Sequence, residues 1–338
     1  LDAAALTRTL RTDGPLAVQW FNPETAALLD AQVWGPGFEP PVFCDEVEVL
    51  QQRLVGDKHL KLRVRHQGAL LLNLSYEWAC TSGVAADPNA GGSRMLRTLD
   101  WPMEEIGRNA VVIRQDGGAG AYYSVGWPGY VGVLTAMAPG RFSIAINQPP
   151  MRRISGACWL DWAVNRTGVW RGLGLPPSHL TRSICDTATS YAEARRRLIE
   201  TPLCIPAFFI LAGASADEGC VIERSEARAA VHDAPAAIAN HWLGLSIPGH
   251  DRGTDSHGRR ERMSKLLHRP DVESFDWVRP PILNATTRLA AVANAASSEL
   301  SVIGYERSRQ ATKPFRLAEH PGGGRTRTTP APALAGPA

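Results

Sequence analysis

The sequence predicts a layered α+β domain, on three observations. Short β-rich runs separated by Gly and Pro fill the stretch from Val111 to Ile146, a capped helix opens at Ser190, and a further pair of apolar runs at 208–224 reads as a hairpin. Helices flanking many antiparallel strands need at least two layers to bury one face of each.

Taken in order, residues 1–34 read as mixed helix, with Ala26, Leu28, Leu29 and Val33 at helical spacing, and the Gly/Pro cluster from Trp34 to Pro41 breaks the chain. Val47 to Val55 returns to a helical pattern, Leu60 to Arg65 alternates apolar and basic, and Ala69 to Leu74 is mostly apolar. The β-rich runs are Val111–Ile113, Ala121–Val125, Tyr130–Thr135 and Phe142–Ile146, with turns at Gly117-Gly118, Trp127–Gly129 and Pro139-Gly140. Ser190 with Glu193 three residues on is a capping-box pattern at the head of a helix that Pro202 stops. Phe208–Ala212 and Cys220–Arg224 form the hairpin, Arg259 to Leu267 a helix, and Ile282–Ala295 and Leu300–Gly304 two strands joined at Ala296–Glu299. The Gly/Pro/Thr-rich tail after Gly322 is low in complexity.

Composition narrows the function classes. In 338 residues, 36 basic against 33 acidic side chains leave a net charge of +3, which makes no nucleic-acid groove. No apolar run reaches the roughly 18 residues of a membrane span. No charged segment followed by an apolar one marks an export signal, so a cytoplasmic location is the expectation. The six cysteines show no CxxC spacing, and His232, His241, His250 and His257 are spaced nine, nine and seven apart, so neither a disulfide framework nor a metal site is expected. Arg171-Gly-Leu-Gly-Leu-Pro lacks the strand and third glycine of a dinucleotide site; no cofactor is expected. Trp101, Trp127, Tyr130, Trp159 and Trp162 read as core residues, with lining of an acyl pocket as the alternative.

The chemistry-bearing feature is Cys80-Thr-Ser-Gly-Val-Ala, followed by Arg97-Thr-Leu-Asp100. A cysteine attacks as thiolate, and its proton has to go to a base. That base is a histidine or, if Cys80 becomes a chain terminus, its own α-amino group, which titrates at ~7.7–8.0. Arg97 supplies fixed positive charge for the thiolate, Asp100 an anion to orient the amine, and residues three apart on a short β/turn segment are expected to face one site. The plain alternative for Cys80 is a small buried hydrophobe, and for Arg97 and Asp100 an ion pair at a strand end.

Several blocks in order extend the pattern: Cys80 to Asp87, Arg97 to Trp101, Gly129 to Ser143, Thr189 to Pro202, Pro206 to Gly213 and Glu218 to Arg224. Together they resemble the acid ceramidase and N-acylethanolamine-hydrolysing acid amidase family, with choloylglycine hydrolases and isopenicillin-N acyltransferase as more distant relatives, all N-terminal-nucleophile hydrolases. The resemblance covers roughly residues 75–305. It implies a four-layer αββα sandwich of two antiparallel sheets flanked by helices. It implies a 1–79 segment that becomes a small subunit associated with an 80–320 catalytic domain, followed by a 321–338 tail. It also implies self-cleavage before Cys80 and hydrolysis of a linear amide in a small N-acyl substrate. By family pattern Cys80 is the nucleophile, Arg97 and Asp100 flank it, and Asn240 in Ile238-Ala-Asn-His-Trp242 contributes its side-chain amide to an oxyanion hole. Arg260 in Ser256-His-Gly-Arg-Arg260 matches a downstream site arginine, for which Arg259 is equally placed. Asn147 sits where bile-salt hydrolases carry another site asparagine. Thr98 and Leu99 inside the Arg/Asp pair, and the longer stretch from Asn240 to Arg260, depart from acid ceramidase. Two alternatives use the same fold: an acyltransferase in which an amine captures the acyl group, and an inactive scaffold.

Overall fold

The computed structural model of the chain describes residues 18–20, 78–102, 106–108, 110–126, 132–171 and 175–318. The expectations for residues 1–17 and 21–77, the turn at Trp127–Gly129, the glycines after Arg171 and the tail after 318 lie outside them. So do Trp127 and Tyr130.

Two sheets form the centre. The first has eight strands in the order β1 (Val18–Trp20), β4 (Val111–Gly117), β5 (Gly120–Gly126), β6 (Thr135–Ala138), β7 (Phe142–Asn147), β9 (Ala207–Gly213), β10 (Gly219–Arg224) and β11 (Ala229–Asp233). Its pairings are antiparallel except for the short edge strand β1, which runs parallel to β4. The second sheet has seven strands. β12 (Ala236–Ile238), β2 (Ala79–Ala86), β3 (Ser93–Asp100), β14 (Thr287–Asn294), β15 (Glu299–Glu306) and β16 (Arg309–Gln310) follow in order, and β17 (Phe315–Ala318) also pairs with β15. A separate two-stranded ribbon joins β8 (Met151–Arg152) to β13 (Gly249–His250).

Helices cover the outer faces. Of the four described, α1 (Cys158–Arg171) packs beside β8, while α2 (Pro177–Thr187) and α3 (Tyr191–Glu200) lie over the first sheet. The fourth, α4 (Ser256–Leu266), lies over β2 and β12 of the second. The architecture is the αββα sandwich. Period-2 alternation sorts the second sheet's side chains: Cys80, Val84, Met95, Leu99, Ala291 and Val302 enter the core between the sheets. Ala85, Leu96, Ala290, Val292 and Ile303 meet Met263 and Leu266 of α4 on the other face. Gly83 lets that helix approach, because a Cβ there would lie 2.5 Å from Leu267 Cδ2.

Several elements differ from the sequence expectation. The run Tyr130–Thr135 is not a strand where it is described; β6 begins at Thr135, after the glycine at 132 takes a left-handed φ of 106° and brings the chain against Ser178. The strand expected from Ile282 starts at Thr287, because Ile282 and Asn284 serve a turn whose polar atoms bond Thr286 and Thr287. Trp101 is buried as expected and its ring lies 4.9 Å from that of Trp78. Trp159 and Trp162 are not core residues: on α1 they are 75% and 41% exposed. The capping box holds, with the Ser190 hydroxyl accepting from Glu193 N, and the Glu193 carboxylate reaching one residue further back to Thr189 N.

Candidate active site

Cys80 is the second residue of β2, completely buried, with its thiol in the space between the sheets. Arg97 comes from the neighbouring strand β3 and crosses that space. Its guanidinium donates to Leu134 O at 2.7 Å, to Ile146 O at 2.8 Å and to the Thr135 hydroxyl, and Nη2 lies 3.4 Å from the Cys80 sulfur. Ile146 is in β7 of the first sheet and Leu134 immediately precedes β6, so one side chain ties both layers and presents its charge to the sulfur. Burial pushes the Cys80 thiol above its ordinary range, and the Arg97 and Arg259 charges work against that rise.

The backbone of Cys80 is held from the other side. Asn240, two residues beyond β12, accepts the Cys80 N–H on Oδ1 at 3.0 Å and donates from Nδ2 to Gln148 O at 2.7 Å. Oδ1 also accepts from Arg259 Nη2 at 2.9 Å, and those two donors fix which way the amide faces. Its N–H is therefore engaged by a protein carbonyl here, where the resemblance has it offered to an oxyanion.

Arg259 and Arg260 separate cleanly. Arg259 is fully buried; Nη1 donates to Cys80 O at 2.7 Å and Thr81 Oγ1 at 2.9 Å, and lies 3.4 Å from Asp100 Oδ2. Arg260 is partly exposed and donates to Ala237 O at 3.0 Å, away from the cluster. Of the two arginines that the sequence match allows, the structure places Arg259, not Arg260, in this cluster. The physical reason is helix phase: Arg259, Met263 and Leu266 share the buried stripe of α4.

Asp100 ends β3 directly across from Ala79, with its other carboxylate oxygen accepting from Thr287 Oγ1 at 2.8 Å. Arg97 and Asp100 do not face one side, since an odd spacing on a strand puts them on opposite faces. Arg97 joins the thiol between the sheets, and Asp100 joins Thr81 and Arg259 on the α4 side. Burial raises the Asp100 carboxyl above the usual carboxylate range, opposed chiefly by Arg259. Asn147, the last residue of β7, is buried with all of its side chain in use. Oδ1 accepts from the Ser82 hydroxyl at 2.8 Å, and Nδ2 donates to Ile238 O and Ala239 O, each at 3.3 Å.

Gln148 was not singled out by the sequence. It is buried, its carbonyl receives Asn240 Nδ2, and its own Nε2 finds no acceptor among the described residues. With Trp78, Leu134 and Ile146 it lines a small recess, and the Ile146 carbonyl also lies 3.8 Å from the Cys80 sulfur. Among the described residues no group of His, Cys, Asp and Glu is arranged to hold a metal ion, and no helix is long and apolar enough to cross a membrane.

Comparison with known proteins gives three kinds of match. The family model described as the RecJ OB domain matches residues 12–80. Acid ceramidase from Homo sapiens is 40% identical over 99 residues, covering 28% of this chain and 23% of that protein. Acid ceramidase from Heterocephalus glaber is 38% identical over 104 residues, covering 30% and 25%. This chain thus spans about a quarter of the length of those relatives. Among solved structures, the Caenorhabditis elegans ortholog of N-acylethanolamine-hydrolyzing acid amidase superposes with a TM-score of 0.50 at 22% identity, over 64% of this chain and 93% of that one. That likeness is one of fold.

Proposed function

From a chain that is acid ceramidase-like in sequence and has the fold of N-terminal-nucleophile hydrolases, we propose a cysteine amidase that frees its own nucleophile and then hydrolyses a linear carbon–nitrogen amide bond. The observation that carries the reading is the grip on Cys80. Its sulfur sits 3.4 Å from a buried guanidinium, its N–H is held by Asn240, and its carbonyl is held by Arg259.

Activation begins with attack of the Cys80 sulfur on the Ala79 carbonyl carbon. The C–N bond breaks, the thiol proton passes to the Cys80 nitrogen, and a thioester to Ala79 remains. Water then cleaves that thioester, leaving an Ala79 carboxylate, a free thiol and a free α-amine. Separation of the two ends after the cut lets the Ala79 side move off the nucleophile and a substrate approach it. The new amine remains within reach of Asn240 Oδ1 and of Asp100, which lies across from Ala79. In turnover that amine takes the thiol proton, the thiolate attacks the substrate carbonyl, and the proton is delivered to the departing amine. Water then releases the acid. The Gln148 side-chain amide, whose Nε2 has no acceptor among the described residues, is the donor left to meet the oxyanion, and Asn240 Nδ2 joins it only by leaving Gln148 O; a donor of this kind is worth about 3–4 kcal/mol. The reading takes the substrate to be an N-acyl amide of the N-acylethanolamine or ceramide kind, and the N-terminal piece stays associated after the cut.

The test is intact mass before and after incubation at acid and neutral pH, for wild type and Cys80→Ala, together with release of fluorophore from an N-lauroyl aminocoumarin. A cut between Ala79 and Cys80, with hydrolysis, both lost in Cys80→Ala, is expected. A folded wild-type chain that stays whole, or hydrolysis that survives Cys80→Ala, overturns the reading. Added amines that divert most of the acyl group would identify a transferase instead.

A further inference from the structure

His241 lies next to Asn240 in sequence yet meets it through a third residue. The Asn240 backbone N–H donates to the Ser256 hydroxyl oxygen at 2.8 Å, and the same oxygen lies 2.8 Å from His241 Nδ1. The hydroxyl has one proton and two lone pairs; with one lone pair taken by the Asn240 N–H, an unprotonated Nδ1 is the acceptor within reach of that proton, whereas a protonated Nδ1 is a second donor to the oxygen. Ser256 is the first residue of α4, but the helix is capped by Asp255, whose carboxylate accepts from Gly258 N. The Ser256 hydroxyl is thus spent outside its own helix. Through Ser256 and Arg259, α4 holds Asn240 at both its backbone nitrogen and its side-chain oxygen.

We propose that His241 is a positioning residue of the amidase site, holding Asn240 on the Cys80 nitrogen by way of the Ser256 hydroxyl. This rests on the function proposed above. The imidazole stacks on His257 with ring centroids 3.8 Å apart. Arg259 and Arg260 add positive charge around it, and Asp251 is the carboxylate that opposes them. Burial above all, and then the positive neighbours, hold the His241 titration down to about 4. Neutral His241 keeps the acceptor that Ser256 needs. Protonation puts a second donor on that oxygen and forces the hydroxyl to turn.

The experiment measures kcat and KM on an N-lauroyl aminocoumarin, and the self-cleavage half-time by intact mass, across the acid and neutral range. The variants are His241→Ala, His241→Asn, His241→Gln and Ser256→Ala. The two alanine changes should each lower kcat and slow self-cleavage about tenfold with KM within about twofold, and their combination should be no worse than either alone. Asn places a non-titrating acceptor at the Nδ1 position, so His241→Asn should recover most of the rate and keep it at acid pH where wild type falls. Gln, one methylene longer, should not. Alanine variants with wild-type kcat and pH profile, or Asn no better than Gln, overturn the proposal. That result is distinguishable from failure of the amidase reading itself, in which Cys80→Ala would leave hydrolysis intact or the wild type would neither cut itself nor hydrolyse.

Discussion

The Arg97 guanidinium reaches the Cys80 sulfur at 3.4 Å although the two residues are not direct partners across the strands; Cys80 stands opposite Leu99, and Arg97 opposite Ser82. The diagonal works because all four side chains share the inner face, and because the carbonyls of Leu134 and Ile146 fix the guanidinium in place.

Arg97→Lys should therefore fail to substitute. An ammonium is a point charge and cannot bridge two carbonyls and a sulfur in one plane. Leaving a buried carbonyl without a donor costs about 1–3 kcal/mol, so urea unfolding should show a loss of that size, with self-cleavage slowed at least about tenfold. Wild-type cleavage in Arg97→Lys would contradict the role given to the fork.

Arg259→Ala and Arg260→Ala should behave very differently. The first removes the buried cation paired with Asp100 and one donor each from Asn240 Oδ1 and Cys80 O, at about 3–5 kcal/mol for a broken buried pair. The second removes a partly exposed side chain and should stay within about 1 kcal/mol. Denaturant melts and intact-mass time courses on the two variants decide it; equal effects would refute the assignment.

Glu223 anchors the loop that leaves Asn240. Its fully buried carboxylate accepts from the backbone N–H groups of Leu243, Gly244 and Leu245, the last two at 2.9 and 2.7 Å. In Glu223→Gln one oxygen becomes a donor facing donors. A loss of about 1–3 kcal/mol is expected by chemical unfolding, with slower cleavage at Cys80; an unchanged unfolding midpoint would count against the anchor.

Stability should rise with pH between about 4 and 6.5. Burial holds both His179 and His241 down to about 4, from an ordinary value of 6.5. The unfolded chain binds protons in that window that the folded chain does not, so acidification favours unfolding until the folded values are passed. Urea midpoints across the window report this, and a flat profile would refute it.

Much of this was legible in the residues, for reasons that differ by element. The alternation of β4, β5 and β7 and their Gly-rich turns stand in the sequence because local sterics set them. Tyr130–Thr135 misled because a β-branched run says nothing of the left-handed glycine within it. Cys80, Arg97 and Asp100 lie close together in the chain and stood out as a block, but the odd spacing of the last two already placed them on opposite faces. Arg259 could be told from Arg260 only through the Arg259–Met263–Leu266 stripe. Gln148 and Ser256 gave no local signal, because their partners come from other parts of the fold: Gln148 from Asn240, Ser256 from Asn240 and His241.

The partners of Cys80 come from far along the chain: Arg97 is 17 residues away, Ile146 66, Asn240 160 and Arg259 179. During synthesis the sulfur therefore leaves the ribosome long before the groups that would make it reactive. A nascent or truncated polypeptide ending short of α4 holds the thiol without its setting, so the proposed self-cleavage would be timed by translation itself. The first cut would then certify that the C-terminal half has arrived and folded.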